Sequence, residues 1–431
     1  MNQTMVKSGS SDSVASPASV AERPVGTLTA WATQFARHRH DGHDTSPLWL
    51  QRLRVQALAA FHRLGLPRAG SEEWRFTHVA GIDALPFFTA GEDDAVPEPN
   101  PADVDSALSR LDAPAGPRLV FVNGDFDAGR SSGLDETGKN DPIGLGRFST
   151  CLQGAPLGLE PFLGRTADFS QRPFVALNTV LMGDGALLLV PDGVVVAEPI
   201  EIVHVAAPCV AGTAFISHPR TLIVLGRGCE ARVVEIFLGA GTADPGLVNS
   251  VTEVVLGPGA RLEHDTVQLE GTGTYHFSSL DVRQERDSSF VSNLFSFGSL
   301  LARNEIELAI DGEGASGTLN GLVAARGNQH VDCHSVVDHR QPHGGSQEYY
   351  KCILAGAGRG VFDGKIVVRP GATKTDAHQK NRNLLLSELA LIDSKPQLEI
   401  YNNDVRCTHG STTGRLDPDA LFYLRSRGLD A

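Results

Sequence analysis

The feature that most constrains this chain is a texture that persists from about residue 175 to 414. Short β-branched and aliphatic runs recur there, each cut by a glycine turn: GALLLVPDGVVV, RTLIVLGRGCEARVVEIFLG and SVTEVVLGPGARLEHDTVQLEG. Gly193, Gly226 and Gly257 fall 33 and 31 residues apart, and LGRGCEARV at 225–233 resembles LGPGARLEH at 256–264. No convincing amphipathic helix separates the runs. That argues against a doubly wound sheet or a (β/α)₈ barrel, whose parallel crossovers need helices. A sandwich, a propeller and a parallel β-helix remain. A spacing near 30 residues can hold one β-helical turn of two or three strands, and stacked turns sit about 4.8 Å apart. So long a stretch of one texture favours the β-helix, which grows by adding rungs.

The flanks read differently. Residues 1–27 are rich in Ser, Ala and Val and are expected to form a disordered tail. Residues 28–115 read as mainly helical. One helix is predicted over 47–64, with Ser46 as N-cap and Pro47 in the first turn. Leu50, Leu53, Ala57, Ala60 and Leu64 line one face, and Gly65 and Pro67 end it. A second helix is predicted over 102–112. Residues 116–174 read as transition strands and loops, opening with RLVFVNGDF near 118, where Asn-Gly marks a turn. The β-helix core is assigned to 175–414, and 415–431 starts a C-terminal helical region.

Charge and cysteine usage narrow the function classes. A net charge of −14 argues against nucleic acid or an anionic membrane as the main partner. Residues 326–431 carry 14 Lys+Arg against 12 Asp+Glu, so the acidity lies in the rest of the chain. No apolar run reaches membrane-spanning length and no signal-peptide core is evident, so a cytoplasmic location is expected. The six cysteines form no CxxC and read as free thiols, with Cys151, Cys209, Cys229 and Cys352 expected as buried core. The LGRG and AGAGRG phrases are not phosphate loops. GxxxxGK[ST] is absent, and these glycines do not open a helix.

Two segments carry ligating side chains. NQHVDCHSVVDHRQPH at 328–343 holds His330, His334, His339, His343, Cys333, Asp332 and Asp338. In a strand, His330, Asp332 and His334 share one face and Cys333 points the other way. The spacing matches no standard zinc signature, and a polar ridge or protein interface is the plainer reading. The sharper site is DVRCTHG at 404–410. Val405, Cys407 and His409 alternate, so an extended strand puts all three on one side. Thiolate and imidazole there could reach a common soft metal ion or the edge of an iron–sulfur cluster. Two ligands are too few for a closed site, so the others would come from a partner. Val405 supports the alternative that this face is core. Trp74, within GSEEWRFT at 70–77, is expected to anchor the helical region.

The run GVFDGKIVVRPGATKTDAHQKNRNLLLSELALIDSKPQLEIYNNDVRCTHGSTTG at 360–414, LFYLRSRGLD at 421–430 and GSEEWRFT resemble the SufD family of iron–sulfur cluster assembly. The resemblance implies a mainly β protein. Its core is a right-handed parallel β-helix, preceded by a helical N-terminal region and followed by a C-terminal helical region that docks the ATPase SufC. It implies a non-catalytic scaffold that pairs with SufB through the ends of their β-helices, with a homodimer as a further option. It assigns His409, with Cys407 beside it, to transient iron or cluster contact at the interface with SufB. Composition says nothing about a flavin. Asn403-Asp404 stands where the family often has Asp-Asp, and Ser411 replaces the usual alanine after His-Gly. Family members continue for some forty residues of amphipathic helix beyond the Arg-Gly motif. Ending at Ala431 therefore leaves a truncated C-terminal region, which reads either as a shortened sequence or as weakened SufC docking. Two rival readings are a purely structural partner that stabilises SufB without touching metal, and a polysaccharide-acting β-helix enzyme, for which no acid pair is identified.

Overall fold

The structure is a computed structural model that describes residues 28, 29, 32, 46–68, 70–85, 87, 98–134, 143–154, 158–209, 213–241, 245–415 and 417–429. The predicted tail 1–27 lies outside them. Five α-helices are described: α1 Leu48–Leu64, α2 Pro101–Leu108, α3 Phe148–Gly154, α4 Pro173–Leu181 and α5 Pro418–Ser426. The first eight strands are β1 Arg118–Val122, β2 Asp125–Phe126, β3 Gly144–Arg147, β4 Ala186–Val190, β5 Ile200–Ala206, β6 Phe215–Ser217, β7 Arg220–Leu225 and β8 Glu230–Gly239. Six follow as β9 Gly246–Leu256, β10 Arg261–Leu269, β11 Thr274–Gln284, β12 Ser289–Ser296, β13 Leu301–Ile310 and β14 Ser316–Ala325. The last six are β15 His330–His339, β16 Gly345–Leu354, β17 Arg359–Val368, β18 Asp376–Leu385, β19 Leu391–Ile400 and β20 Arg406–Arg415.

From β7 onward the strands alternate between two ten-stranded sheets, and each pairs in parallel with the strand two positions on. The result is a β-solenoid of about seven turns over residues 200–415. Each turn contributes two strands. The 31-residue likeness seen in the sequence is one full turn, since β8 and β10 pair with Glu230 opposite Arg261. Inward residues of both sheets form one continuous apolar core, running from Leu119 and Ile202 through Leu262, Phe290 and Leu319 to Phe362 and Leu385.

The glycine series needs correction. Gly226 and Gly257 do stack at one corner, where a Cβ on Gly257 would lie 3.0 Å from Gly226 carbonyl carbon. Gly193 belongs to a different column. At that second corner the N–H groups of Gly193, Gly228, Gly259, Asp287, Gly314, His343 and Lys374 each donate to a carbonyl on the following turn. All seven have positive φ, between 56° and 77°. Glycine adopts this left-handed conformation freely, whereas Asp, His and Lys do so at some cost. Because three turns place other residues there, counting glycines loses the repeat after Gly259.

The helical region differs in detail from expectation. Helix α1 forms as predicted and buries Leu50, Ala57, Ala60 and Phe61, but its N-cap is Pro47, with no side-chain cap bond. Ser46 instead receives Arg54 on its hydroxyl and Gln51 on its carbonyl. Helix α2 starts at Pro101, is capped by Asn100, and ends at Leu108, short of the predicted 112. Helix α4 lies across the boundary at 175 where continuous β structure was expected. All nine of its residues are buried, so it shows no amphipathic stripe. Its Asn178 amide donates to the carbonyls of Pro219 and Asn249 and so docks it on the solenoid. Among the described residues no helix is long and apolar enough to cross a membrane.

Candidate functional site

Most of the 328–343 cluster is spent on structure. On the outer face of β15, Asp332 accepts from Arg303 at 2.7 Å and Thr77 at 2.5 Å, and pairs with His334 at 2.8 Å. Arg303 also donates to the Glu73 carbonyl and lies over the Trp74 ring. Trp74 in turn packs on Phe174, which stacks on Phe277 with centroids 3.8 Å apart. The segment 70–77 is therefore a strap across the outer face of the solenoid, and Glu72 reaches Lys395 on β19 at 2.7 Å. Trp74 is the core anchor expected. Paired with Arg303, Asp332 is held well below the usual carboxylate range despite full burial. Cys333 and His339 face the interior, where His339 bonds to Ser346, and His343 occupies the left-handed corner. His330 and His334 thus share the outer face with Asp332, His330 meeting Thr77 Oγ1 at 3.0 Å, while His339 and His343 lie elsewhere.

Beneath the strap lies a cavity of about 590 Å³ lined by Arg172, Arg303, Lys365 and Lys395 among others. Each of these cations is ion-paired: Arg172 with Asp281, Arg303 with Asp332, Lys365 with Glu399, and Lys395 with Glu72. The cavity includes neither Cys407 nor His409.

Residues 406–410 form the start of β20, just after Asp404 and Val405; β20 is the last strand of its sheet, with β18 on one side and no described strand on the other. The register sets Ala377 opposite Cys407, Gln379 opposite His409, Asn381 opposite Ser411 and Asn383 opposite Thr413. Those four β18 residues are buried and point inward, so their β20 counterparts face the interior side too. Thr408 points outward and its hydroxyl lies 2.7 Å from His378 Nδ1, as strand alternation requires. The face is inward in parity yet open at His409, because among the described residues no further turn closes it.

Cys407 and Val405 are partly buried and pack against the solenoid core with Ile392 and Leu398. Burial, and then the charge of Asp376, pushes the Cys407 thiol upward, so it is protonated at neutral pH in the isolated chain. His409 is exposed. Cys407 and His409 are thus brought to one open face, as the alternation predicted, but with unequal access. No cluster of three or more His, Cys, Asp or Glu suited to a metal occurs among the described residues. The two donors alone do not close a coordination shell.

The remaining cysteines are buried except Cys209, which is half-buried and accepts from Asn123 Nδ2 at 3.4 Å. Ser411, the departure noted after His-Gly, joins the strands at the open end. Its hydroxyl meets Ser394 on β19 at 2.8 Å and Asn381 on β18 at 3.2 Å. Asp404 pairs with Lys374 at 2.8 Å. Sequence reasoning missed the inward polar set Gln379, Asn381 and Asn383. In DAHQKNRNLL both faces are polar, so alternation leaves no hydropathy signal.

Comparison with known proteins agrees with this architecture. Residues 27–202 match the N-terminal region of SufBD proteins, and residues 209–431 match the SufBD core domain of the SUF system of FeS cluster assembly. An iron–sulfur cluster assembly SufBD family protein of Synechocystis sp. is 30% identical over 85% of this chain and 80% of its own length. The iron–sulfur cluster assembly protein SufD of Escherichia coli is 30% identical over 87% of this chain and 83% of its own. SufD of Bacillus subtilis is 26% identical over 94% and 91%. The strap, the two-sheet solenoid and the exposed final strand are therefore features of a chain that belongs to the SufBD family of iron–sulfur cluster assembly proteins.

Proposed function

We propose that this chain is a non-catalytic scaffold subunit that pairs with a SufB-like subunit through the open end of its solenoid, and that His409 there donates to iron or a nascent cluster. The observation that carries the reading is the position of β20. No described strand pairs with its outer edge, and its inward face holds an exposed His409 beside a partly buried Cys407. A partner strand could satisfy that edge and cover that face in one step. Neutral imidazole supplies a lone pair to iron, and the partner supplies the other ligands.

The Cys407 environment favours a narrower version of the same reading. Its thiol is partly buried against the core while the His409 ring is exposed, so His409 is the more accessible donor. Helix α5 fits the docking of a SufC-like ATPase. Phe422, Tyr423 and Leu424 on it, and Leu429 just beyond, are large apolar residues exposed at 75%, 61%, 44% and 58%.

The test is reconstitution with SufB-like and SufC-like partners, measuring iron and acid-labile sulfide per complex. His409→Ala should lower both while the complex stays intact by size exclusion, and Cys407→Ala should lower them less. Full iron and sulfide in the His409 variant would reduce the chain to a structural partner.

A further inference from the structure

Gln379 is fully buried on β18, in the inward column that runs Glu348, Gln379, His409 across β16, β18 and β20. Its Nε2 donates to Glu348 Oε2 at 2.6 Å, and the other Glu348 oxygen accepts from Ser335. In the structure the Nε2 end of the amide faces Glu348. The other end, Oε1, is buried and has no hydrogen-bond partner. A buried carbonyl without a donor is costly, so a native structure that keeps one invites an explanation. The space around the amide is shaped for it. A Cβ on Gly364, across the interior on β17, would lie 2.3 Å from Gln379 Nε2 and 3.0 Å from its Cδ.

The next rung lies about 4.8 Å away, and the residue in register on it is His409, whose exposed ring has a donor to give. Histidines that bind metal through one ring nitrogen usually donate the other N–H to a fixed acceptor, which sets tautomer and ring orientation. We propose that Gln379 is the positioning residue for His409: Gln379 Oε1 accepts one ring N–H, and the lone pair of the other ring nitrogen is left facing the open end. Glu348 and Ser335 hold the amide in the required orientation, and Gly364 leaves it room. This rests on the reading of His409 as an iron donor.

Ferrous iron affinity, measured anaerobically in the reconstituted complex, tests both readings separately. Gln379→Met keeps volume and removes the acceptor. It should weaken iron binding about 10- to 100-fold. Gln379→Asn withdraws the oxygen by one methylene and should weaken binding as well, which keeps the test open if the Met variant fails to fold. In a His409→Ala background, Gln379→Met should cause no further loss, a coupling that a general packing defect would not produce. If His409→Ala weakens iron binding while Gln379→Met and Gln379→Asn bind as wild type, the positioning role is overturned and His409 remains the donor. A Gln379→Met loss of equal size in both backgrounds overturns it too. If His409→Ala itself binds iron normally, both readings fall.

Discussion

The guanidinium of Arg303 lies 3.8 Å from the centre of the Trp74 ring and joins a segment near the start of the chain to the middle of the solenoid. The same guanidinium bonds Asp332 on the next turn and the Glu73 carbonyl in the strap. Removing the ring leaves a cavity against Phe174 and Phe277 and an uncovered buried cation. Trp74→Ala should therefore cost about 3–5 kcal/mol in urea unfolding, and Trp74→Phe distinctly less. A loss below about 1 kcal/mol for the alanine variant would show that the strap is not part of the folded core.

Glu253 should be the costliest single carboxylate to remove. It is fully buried, pairs with the fully buried Arg220, and accepts the backbone N–H groups of Gly164, Arg165, Thr166 and Ala167 at 2.8–3.1 Å. Glu253→Ala strands both the cation and those amides, at about 3–5 kcal/mol. Combining it with Arg220→Met should recover part of the loss, because the unpaired charge is gone. Denaturant unfolding of the two singles and the double variant measures this. Simple additivity would mean that the pair does not act as a unit.

A pH prediction follows from Glu348. Burial lifts its carboxyl from 4.5 to about 7, so the folded chain keeps it neutral where the unfolded chain ionises it. Its contribution to stability is complete below 4.5 and is lost as pH rises through about 7. The shift corresponds to about 3 kcal/mol. Glu348→Gln should remove that component, so the difference in stability between variant and wild type should grow from pH 4.5 to pH 7 and then level off. A difference that stays constant over this range would show that Glu348 is ionised in the fold.

Helix α5 should matter for association and not for folding. Replacing Phe422 and Tyr423 with serine, both exposed, should leave the unfolding midpoint unchanged. Binding of a SufC-like ATPase, measured by calorimetry, should weaken by about 2 kcal/mol or more if these rings are anchors. Unchanged affinity would place the ATPase elsewhere.

Parity along DVRCTHG was enough to pair Cys407 with His409, because side chains two positions apart in a strand share a side whatever surrounds them. Turn spacing in LGRGCEARV and LGPGARLEH was enough to suggest a solenoid, since a repeated turn must recur at the length of one rung. Helix α4 stayed hidden because burial on every side leaves no stripe. The polar interior of β18 stayed hidden because neither of its faces is apolar.

What local pattern cannot supply is contact between residues far apart in the chain. Thr77 meets Asp332 across 255 positions, and Glu72 meets Lys395 across 323. Such pairs depend on how many rungs the chain winds before a strap crosses them. The site has the same character. The spacing of thiol and imidazole is a property of seven consecutive residues. That the imidazole stands exposed beside the thiol, with a buried amide oxygen in register on the neighbouring strand, depends on β20 being the last described strand of its sheet and on β18 lying next to it.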